Sequence, residues 1–329
     1  MANKRGARGL SERTEKARTR AKKAEHSRRP TVSIVGAGRV GTALAMALSR
    51  CGYRVEALVA RRKSQAKRAA ALIHTKPLAL SSAELDRLPE SRLLFITTPD
   101  DLIEETAARI AALTLKKPQR RTALHAGGAL SSGVLKSLRD VGFRTGSMHP
   151  LVAVSDTAAG AESLRRAFFC IEGDASAASA ARRIVQDFGA RSFSVDTAKK
   201  ALYHAAAVTS SGHMVALFDI ATEMLGRCGL KEKEARSILM PLVESTIANL
   251  KQLVPAKALT GTFARADIKT VRRHLEAIRR EEIVDALAAY RVLGRRSVRL
   301  AGKRGAGSQA LEAILKLLDD VVLDDVVEE

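Results

Sequence analysis

The apolar run Thr31 to Val35 gives way to glycines at 36, 38 and 41, then to an apolar-periodic stretch reaching about Ser49. That pattern predicts a strand, a glycine-rich turn and a helix. The alternation continues. Arg54 to Val59 reads as a second strand, and Leu93 to Thr97 as another, stopped by Thr98-Pro99-Asp100-Asp101. There the proline ends the strand, and an Asp can cap a helix starting near Leu102. Thr122 to Leu124 precedes His125-Ala126-Gly127-Gly128, Arg144 to Met148 leads into His149-Pro150, and Phe168 to Ile171 ends at Glu172-Gly173-Asp174. Strands alternating with helices predict an α/β fold: a doubly wound, mainly parallel sheet. Ligands in such sheets sit beyond the carboxyl ends of the strands. The turns at 98–101, 125–128 and 149–150 are therefore expected to border one crevice.

From Asp196 or Thr197 the strand pattern stops. An Ala-rich helix is expected to run to about Gly226, with Val208, Met214, Leu217, Ile220 and Met224 buried. Helices follow at about Glu232 to Leu253, with Pro241 kinking it, at Asp267 to Glu281, and at Ile283 to Ala301. Strands followed by runs of helices indicate a second, all-helical domain. The expected organisation is a basic tail over 1–29, a Rossmann domain over 30–196, a helical domain over 197–302 and an acidic extension over 303–329.

Composition narrows the class. The 329 residues are enough for two domains, and the 46% hydrophobic content is that of a globular chain. The net charge of +21 is uneven: residues 1–29 hold eleven Lys/Arg and three Glu, with almost no large apolar side chain. Such a segment is expected to be disordered, and it lacks the apolar core of a secretory signal. It reads as a solubilising tail, or at most as a weak electrostatic contact with nucleic acid. With no Trp, three Tyr and eight Phe, the chain offers little for base stacking. Three widely spaced cysteines suit a reducing, cytoplasmic setting, and no membrane-spanning run is evident. His26, His74, His213 and His274 show no metal-ligand spacing, and neither HExxH nor a GxSxG elbow occurs, so no metal and no serine hydrolase are expected.

The glycine turn points to a dinucleotide. Gly36 permits the tight turn, Gly38 admits a pyrophosphate to the backbone, and Gly41 lets the helix pack on the strand, while Arg39 and Val40 open the helix whose N-terminus favours an anion. After the second strand an NAD site would carry an acid; here Ala60 is followed by Arg61, Arg62, Lys63 and Ser64. Donors for a 2′-phosphate, with no carboxylate to repel one, indicate NADP(H). Arg61, Arg62, Ser64, Thr98, Pro99 and His125 join the glycine turn as expected cofactor residues.

Further motifs occur together: His149-Pro150-Leu151, a helix opening Lys200-Ala201-Leu202-Tyr203-His204, Leu259-Thr260-Gly261, Arg265-Ala266-Asp267, and Thr270 to Leu275. With them, residues 31 to 300 resemble a family pairing a Rossmann-like domain with a helical domain of unknown function. That family is similar in architecture to deazaflavin-dependent NADP reductases, pyrroline-5-carboxylate reductases and 6-phosphogluconate dehydrogenases. The resemblance implies an oxidoreductase architecture and homodimers through the helical domain.

Within that frame the chain is expected to reduce a small carbonyl or imine with NADPH at an interdomain crevice. Lys200, Tyr203 and His204 share a helix face. By resemblance to hydroxyacid dehydrogenases, Lys200 is nominated as proton donor or electrophile and His204 as donor or orienter. His149 is the third candidate and His125 follows. Plainer roles compete: Lys199 could replace Lys200, His149 could bond a turn, and His204 could be core. Arg265 and Asp267 read as a structural pair or a helix cap. The chain also departs from the family's pattern: Gly127 stands where serine is usual, Gly212 where asparagine is usual, and Thr262 and Ala266 where proline and glycine are. The missing Ser and Asn suggest an alternative, a catalytically inactive NADP-binding regulatory protein.

Overall fold

The computed structural model describes residues 29–114 and 121–319; the basic segment before residue 29 and the acidic end from residue 320 lie outside the described residues. The chain forms two units, divided between Val208 and Thr209.

In the first unit β1 (Val32–Val35) leads into α1 (Arg39–Arg50), and β2 (Val55–Ala60) into α2 (Lys63–Ala71). Then come β3 (Leu78–Ser81), β4 (Leu93–Ile96), α3 (Ile103–Ala112), β5 (Thr122–His125) and α4 (Lys136–Asp140). The unit continues with β6 (Arg144–Leu151), α5 (Thr157–Ser163), β7 (Phe168–Gly173), α6 (Ala175–Asp187), β8 (Arg191–Phe193) and α7 (Lys200–Ser210). The strands form one sheet in the order β3-β2-β1-β4-β5-β6-β7-β8. All pairs are parallel except β6 with β7. The order reverses between β1 and β4, the place where open α/β sheets leave a crevice.

Burial follows the two-residue period of a strand. Ile34 and Phe95 enter a core layer with Leu44 and Leu48 of α1 and Ile184 of α6. Val35, Leu94 and Ile96 enter the opposite layer with Ile103 and Ile110 of α3 and Leu138 of α4. Each such side chain removed from water contributes about 1.5–3 kcal/mol. Alanines at 43, 47, 177 and 181 fill the spaces between helix and sheet.

Several sequence expectations are corrected in this unit. β3 and β8 carry no strong apolar signal, and their strand state comes from pairing with β2 and β7. β6 runs through His149 and Pro150 to Leu151, so the histidine lies within the strand and not after it. Pairing with β5 stops at Ser147, which leaves an edge where a missing N–H is tolerated. No aspartate side chain caps the turn at Asp100–Leu102 or the helix that follows.

The expected long helix is two helices. A 3₁₀ turn (Thr197–Lys199) opens α7, and Ser211 breaks the path with φ −125° and ψ −73° before α8 (Gly212–Arg227). Glycine after the break lowers the cost of interrupting the helix. The second unit continues with α9 (Glu232–Gln252), α10 (Pro255–Ala258), α11 (Gly261–Ala264), α12 (Ile268–Arg280), α13 (Val284–Lys303) and α14 (Ser308–Asp319). α9 passes through Pro241, which removes one backbone hydrogen bond.

In α12, Val271, Leu275 and Ile278 are buried at helical spacing, and Asp267 caps the helix by accepting from the Thr270 amide at 3.1 Å. Ala266 adopts φ +52°, a left-handed conformation that glycine takes with less strain. Val208, Met214 and Leu217, expected to be buried, are exposed, whereas Ile220 and Met224 pack against Ile278, Ile283 and Ala286. The periodicity marked an apolar face correctly but not what covers it. No helix among the described residues is long and apolar enough to cross a membrane.

Candidate functional site

The turn after β1 is fixed by backbone bonds: the amides of Gly36 and Ala37 both donate to the Val59 carbonyl, at 2.9 and 2.8 Å. Gly36 has φ +113°, and a Cβ there would meet the backbone of Thr97 and lie 2.5 Å from the Thr98 nitrogen. Gly41 is equally constrained, since a Cβ would strike the Gly36 carbonyl and the Thr97 hydroxyl. A Cβ on Gly38 would meet open space. Thr97 Oγ1 donates to the Gly36 carbonyl at 2.8 Å, tying the β4 turn to the glycine turn. α1 starts with no side-chain cap and no acidic residue in its first turn. Its leading amides, at Arg39, Val40 and Gly41, lack intrahelical acceptors and favour an anion.

Over this turn lies a cavity of about 410 Å³, lined among others by Gly36, Gly38, Arg61, Gln65, Thr98 and Pro99. Thr98 Oγ1 is buried with no partner among the described residues. Arg61 and Arg62 have no ion-pair partner among them either. Lys63, in contrast, is taken by Glu84 at 2.5 Å. That bond, with the Ser81 amide and hydroxyl, holds the Glu84 carboxyl down at about 2. An uncapped helix N-terminus, a glycine cradle, an orphaned hydroxyl and a free arginine after β2 together fit a dinucleotide carrying an extra phosphate.

Not every expected cofactor residue lines this cavity. Gly36, Gly38, Arg61, Thr98 and Pro99 do; Arg39, Val40, Gly41, Arg62, Ser64 and His125 do not. Gln65, Ser82 and Arg109 line it unexpectedly. Arg109 reaches it by donating to the Ser82 carbonyl at 2.8 Å, a contact between α3 and the turn after β3 that no linear motif encodes.

A second cluster gathers around β5, β6 and α7. Lys200 is 1% exposed, and its Nζ donates to Ser147 Oγ at 2.9 Å; Lys199 is exposed. Burial lowers the Lys200 pKa against the opposing pull of Cys170, Glu172 and Asp100. His149 Nδ1 lies 2.7 Å from Tyr203 Oη, and the His149 and His204 rings meet edge to face at 5.5 Å. Burial raises the Tyr203 pKa, so the phenol keeps its proton, and the direction of the bond follows the His149 tautomer. Burial first, then the charges of Lys200 and His204, push His149 down to about 4.

His125 is fully buried and pushed down to about 3, chiefly by burial. Its Nδ1 accepts from the Gly127 amide at 3.2 Å, which assigns the ring proton to Nε2, an atom without a partner among the described residues. Glu172, opposite Ser147 in the β6–β7 register, accepts from the Ser132 amide and hydroxyl at 2.7 and 2.8 Å.

Gly127 and Gly128 join the expected turns. A Cβ on Gly127 would lie 2.7 Å from Asp100 Oδ1, and one on Gly128 would strike the His204 ring and lie 2.8 Å from His149 Nε2. Asp100 of the turn at 98–101 therefore meets Gly127, and Gly128 meets His149 and His204, but the cavity over the glycine turn takes in 98 and 99 and none of 125–128 or 149. Ser147, Glu172, Ser132 and Asp100 were missed as site residues, because their proximity depends on strand register. No group of three or more His, Cys, Asp or Glu among the described residues is arranged to hold a metal.

Two family matches cover most of the chain: a Rossmann-like domain over residues 17–150, and a domain of unknown function, DUF2520, over residues 167–297. No curated protein matches it. Among solved structures, a candidate NADP oxidoreductase from Bacteroides fragilis is 20% identical with a TM-score of 0.67, over 82% of this chain and 98% of that one. A Thermotoga maritima protein is 22% identical with a TM-score of 0.63, over 83% and 99%. Pyrroline carboxylate reductase from Plasmodium falciparum, solved with NADP bound, is 11% identical with a TM-score of 0.52, over 88% and 98%. These likenesses establish a shared fold. The chain belongs to the proteins that join a Rossmann-like domain to the DUF2520 domain.

Proposed function

We propose that the protein is an NADP(H)-dependent oxidoreductase that reduces a small carbonyl or imine compound. The observation carrying this reading is the cavity over the Gly36–Gly38 turn, with Arg61 at the end of β2 where an NAD site would hold an acid. The Plasmodium falciparum neighbour holds NADP on the same fold, which accords with it. Gly36, Gly38 and the first amides of α1 would hold the pyrophosphate, Arg61 and Arg62 the 2′-phosphate, and Thr98 with Pro99 the inner wall. When bound, the reduced nicotinamide supplies a hydride. The residues of this chain bind and orient the acceptor.

The cluster on β5, β6 and α7 supports that assignment of labour. His149, His204 and Tyr203 are partly exposed and can meet a substrate. Lys200 is a positioning residue on this reading: its buried ammonium anchors Ser147 and adds to the burial that holds the His149 pKa down. At position 127 the glycine leaves room for the Asp100 carboxylate, which a serine would meet.

Arg61→Asp is expected to invert the nucleotide preference, weakening NADPH by about 30-fold or more while NADH is held equally or better. Calorimetry with both nucleotides reads this directly, and an unchanged ranking removes Arg61 from the site. We also propose a homodimer. Val215 on α8 and Ile238, Leu242 and Leu250 on α9 are exposed, and a second copy would cover such an apolar face. Sedimentation at the mass of one 35.3 kDa chain would refute that assembly.

A further inference from the structure

We infer that Asp100 is the specificity-determining residue of this site and selects a small substrate carrying a protonated nitrogen at the carbon that takes the hydride. The inference rests on the reductase reading and extends it to a substrate class.

Asp100 is the first residue of the 3₁₀ turn before α3, one past the N-cap Pro99, and its side chain caps neither that turn nor the helix. Among the described residues its carboxylate has no hydrogen bond and no ion pair. Its Oδ1 is directed at Gly127, where a Cβ would lie only 2.7 Å away. A serine at that position would force the carboxylate aside, so the glycine and the aspartate form one feature. The next residue, Gly128, is approached by the imidazole edges of His149 and His204. Consecutive Cα atoms are 3.8 Å apart, which places the carboxylate and His149 Nε2 within about 12 Å. A small molecule would be long enough to touch both.

The charges there favour a cation. Lys200 is buried with its ammonium on Ser147, in the field of both Glu172 and Asp100, so two carboxylates face one cation, and Glu172 is held by Ser132. Tyr203 and His149 are hydrogen-bonded to each other at 2.7 Å. Asp100 is the carboxylate of the two without a hydrogen bond among the described residues, and an N–H of an iminium or ammonium would give it a charge-assisted one.

The chemistry agrees. In reduction of a protonated C=N bond, a C–H bond of the reduced nicotinamide breaks and a new C–H bond forms at the imine carbon. The π pair becomes the nitrogen lone pair, the nicotinamide is left oxidised, and the product is a neutral amine. No proton moves in that step. A carbonyl would in addition need a proton delivered to oxygen, which His149, unprotonated at neutral pH, does not supply as an acid.

The test uses the full chain at about pH 7.5, where piperidine is protonated, with tetrahydropyran as its neutral isostere. Calorimetry is run with and without NADP⁺. Piperidinium is expected to bind about tenfold or more tighter than tetrahydropyran. Asp100→Asn and Asp100→Ser should each abolish that preference. Gly127→Ser should weaken it, by turning the carboxylate toward the new hydroxyl. Equal binding of the two probes, binding of neither, or an undiminished preference in both Asp100 variants overturns the inference. NADPH affinity is measured separately. Its absence defeats the reductase reading, while the piperidinium preference still reports on Asp100.

Discussion

Gly36→Ala is expected to abolish nucleotide binding and to destabilise the first unit. The position combines φ +113° with direct backbone contact at Thr97 and Thr98. Holding an L-residue in that conformation costs about 1–3 kcal/mol, and forcing a methyl into packed backbone costs about as much again. The main chain around it has little freedom to yield, because Gly36 and Ala37 both donate to Val59, and Thr97 donates to Gly36. NADPH affinity should fall by about 100-fold or more. Gly38→Ala separates fold from site. Its Cβ meets open space, so the melting temperature should hold while the methyl obstructs the phosphate and weakens NADPH by about tenfold. Denaturant melts paired with calorimetry read both effects. Full NADPH affinity in both variants would remove the glycine turn from the binding site.

Lys200→Met carries the second large effect. Methionine keeps the length of the side chain but removes a charge that burial disfavours and that depresses His149. Turnover is expected to fall by about 100-fold, with NADPH affinity within about threefold of the wild type. Ser147 loses its donor, at about 1 kcal/mol, while removing a buried cation offsets part of that cost.

The sign of the accompanying pH change follows from His149. Its folded pKa of about 4 lies below the unfolded value near 6.5, so the unfolded chain binds more protons in that window. Stability therefore rises as pH goes from about 4 to 6.5 and is fully present above it. In Lys200→Met the His149 pKa should move up, shrinking the window from its acid side, and the imidazole signal in a proton NMR titration reads that shift. Burial remains the larger cause, so the shift should be partial. A variant with wild-type turnover and an unmoved His149 would exclude Lys200 from the mechanism.

The two halves of this account were not equally legible in the sequence. The β1 turn could be read because glycine is required by φ at 36 and by close approach at 41, and both constraints fall on a contiguous string. The absent acid after β2 was equally plain. β8 was not, since its three residues are mostly exposed and gain their strand state from β7. The reversal of β7 was invisible because an apolar run carries no direction. Spacing on α7 grouped Lys200, Tyr203 and His204 but could not tell Lys200 from Lys199; packing of the helix against β6 makes that distinction. Asp100, Ser147 and Glu172 meet the site only through register and turn geometry, and a pattern of residue types does not contain those. The break at Ser211 escaped because the apolar periodicity continues on both sides of it.

Titration of NADPH and NADH into the intact chain tests the central claim most directly. Micromolar or tighter binding of NADPH at one site per chain, with NADH weaker by about tenfold or more, is the expected result. Failure of either nucleotide to bind would contradict it, as would an equal affinity for both.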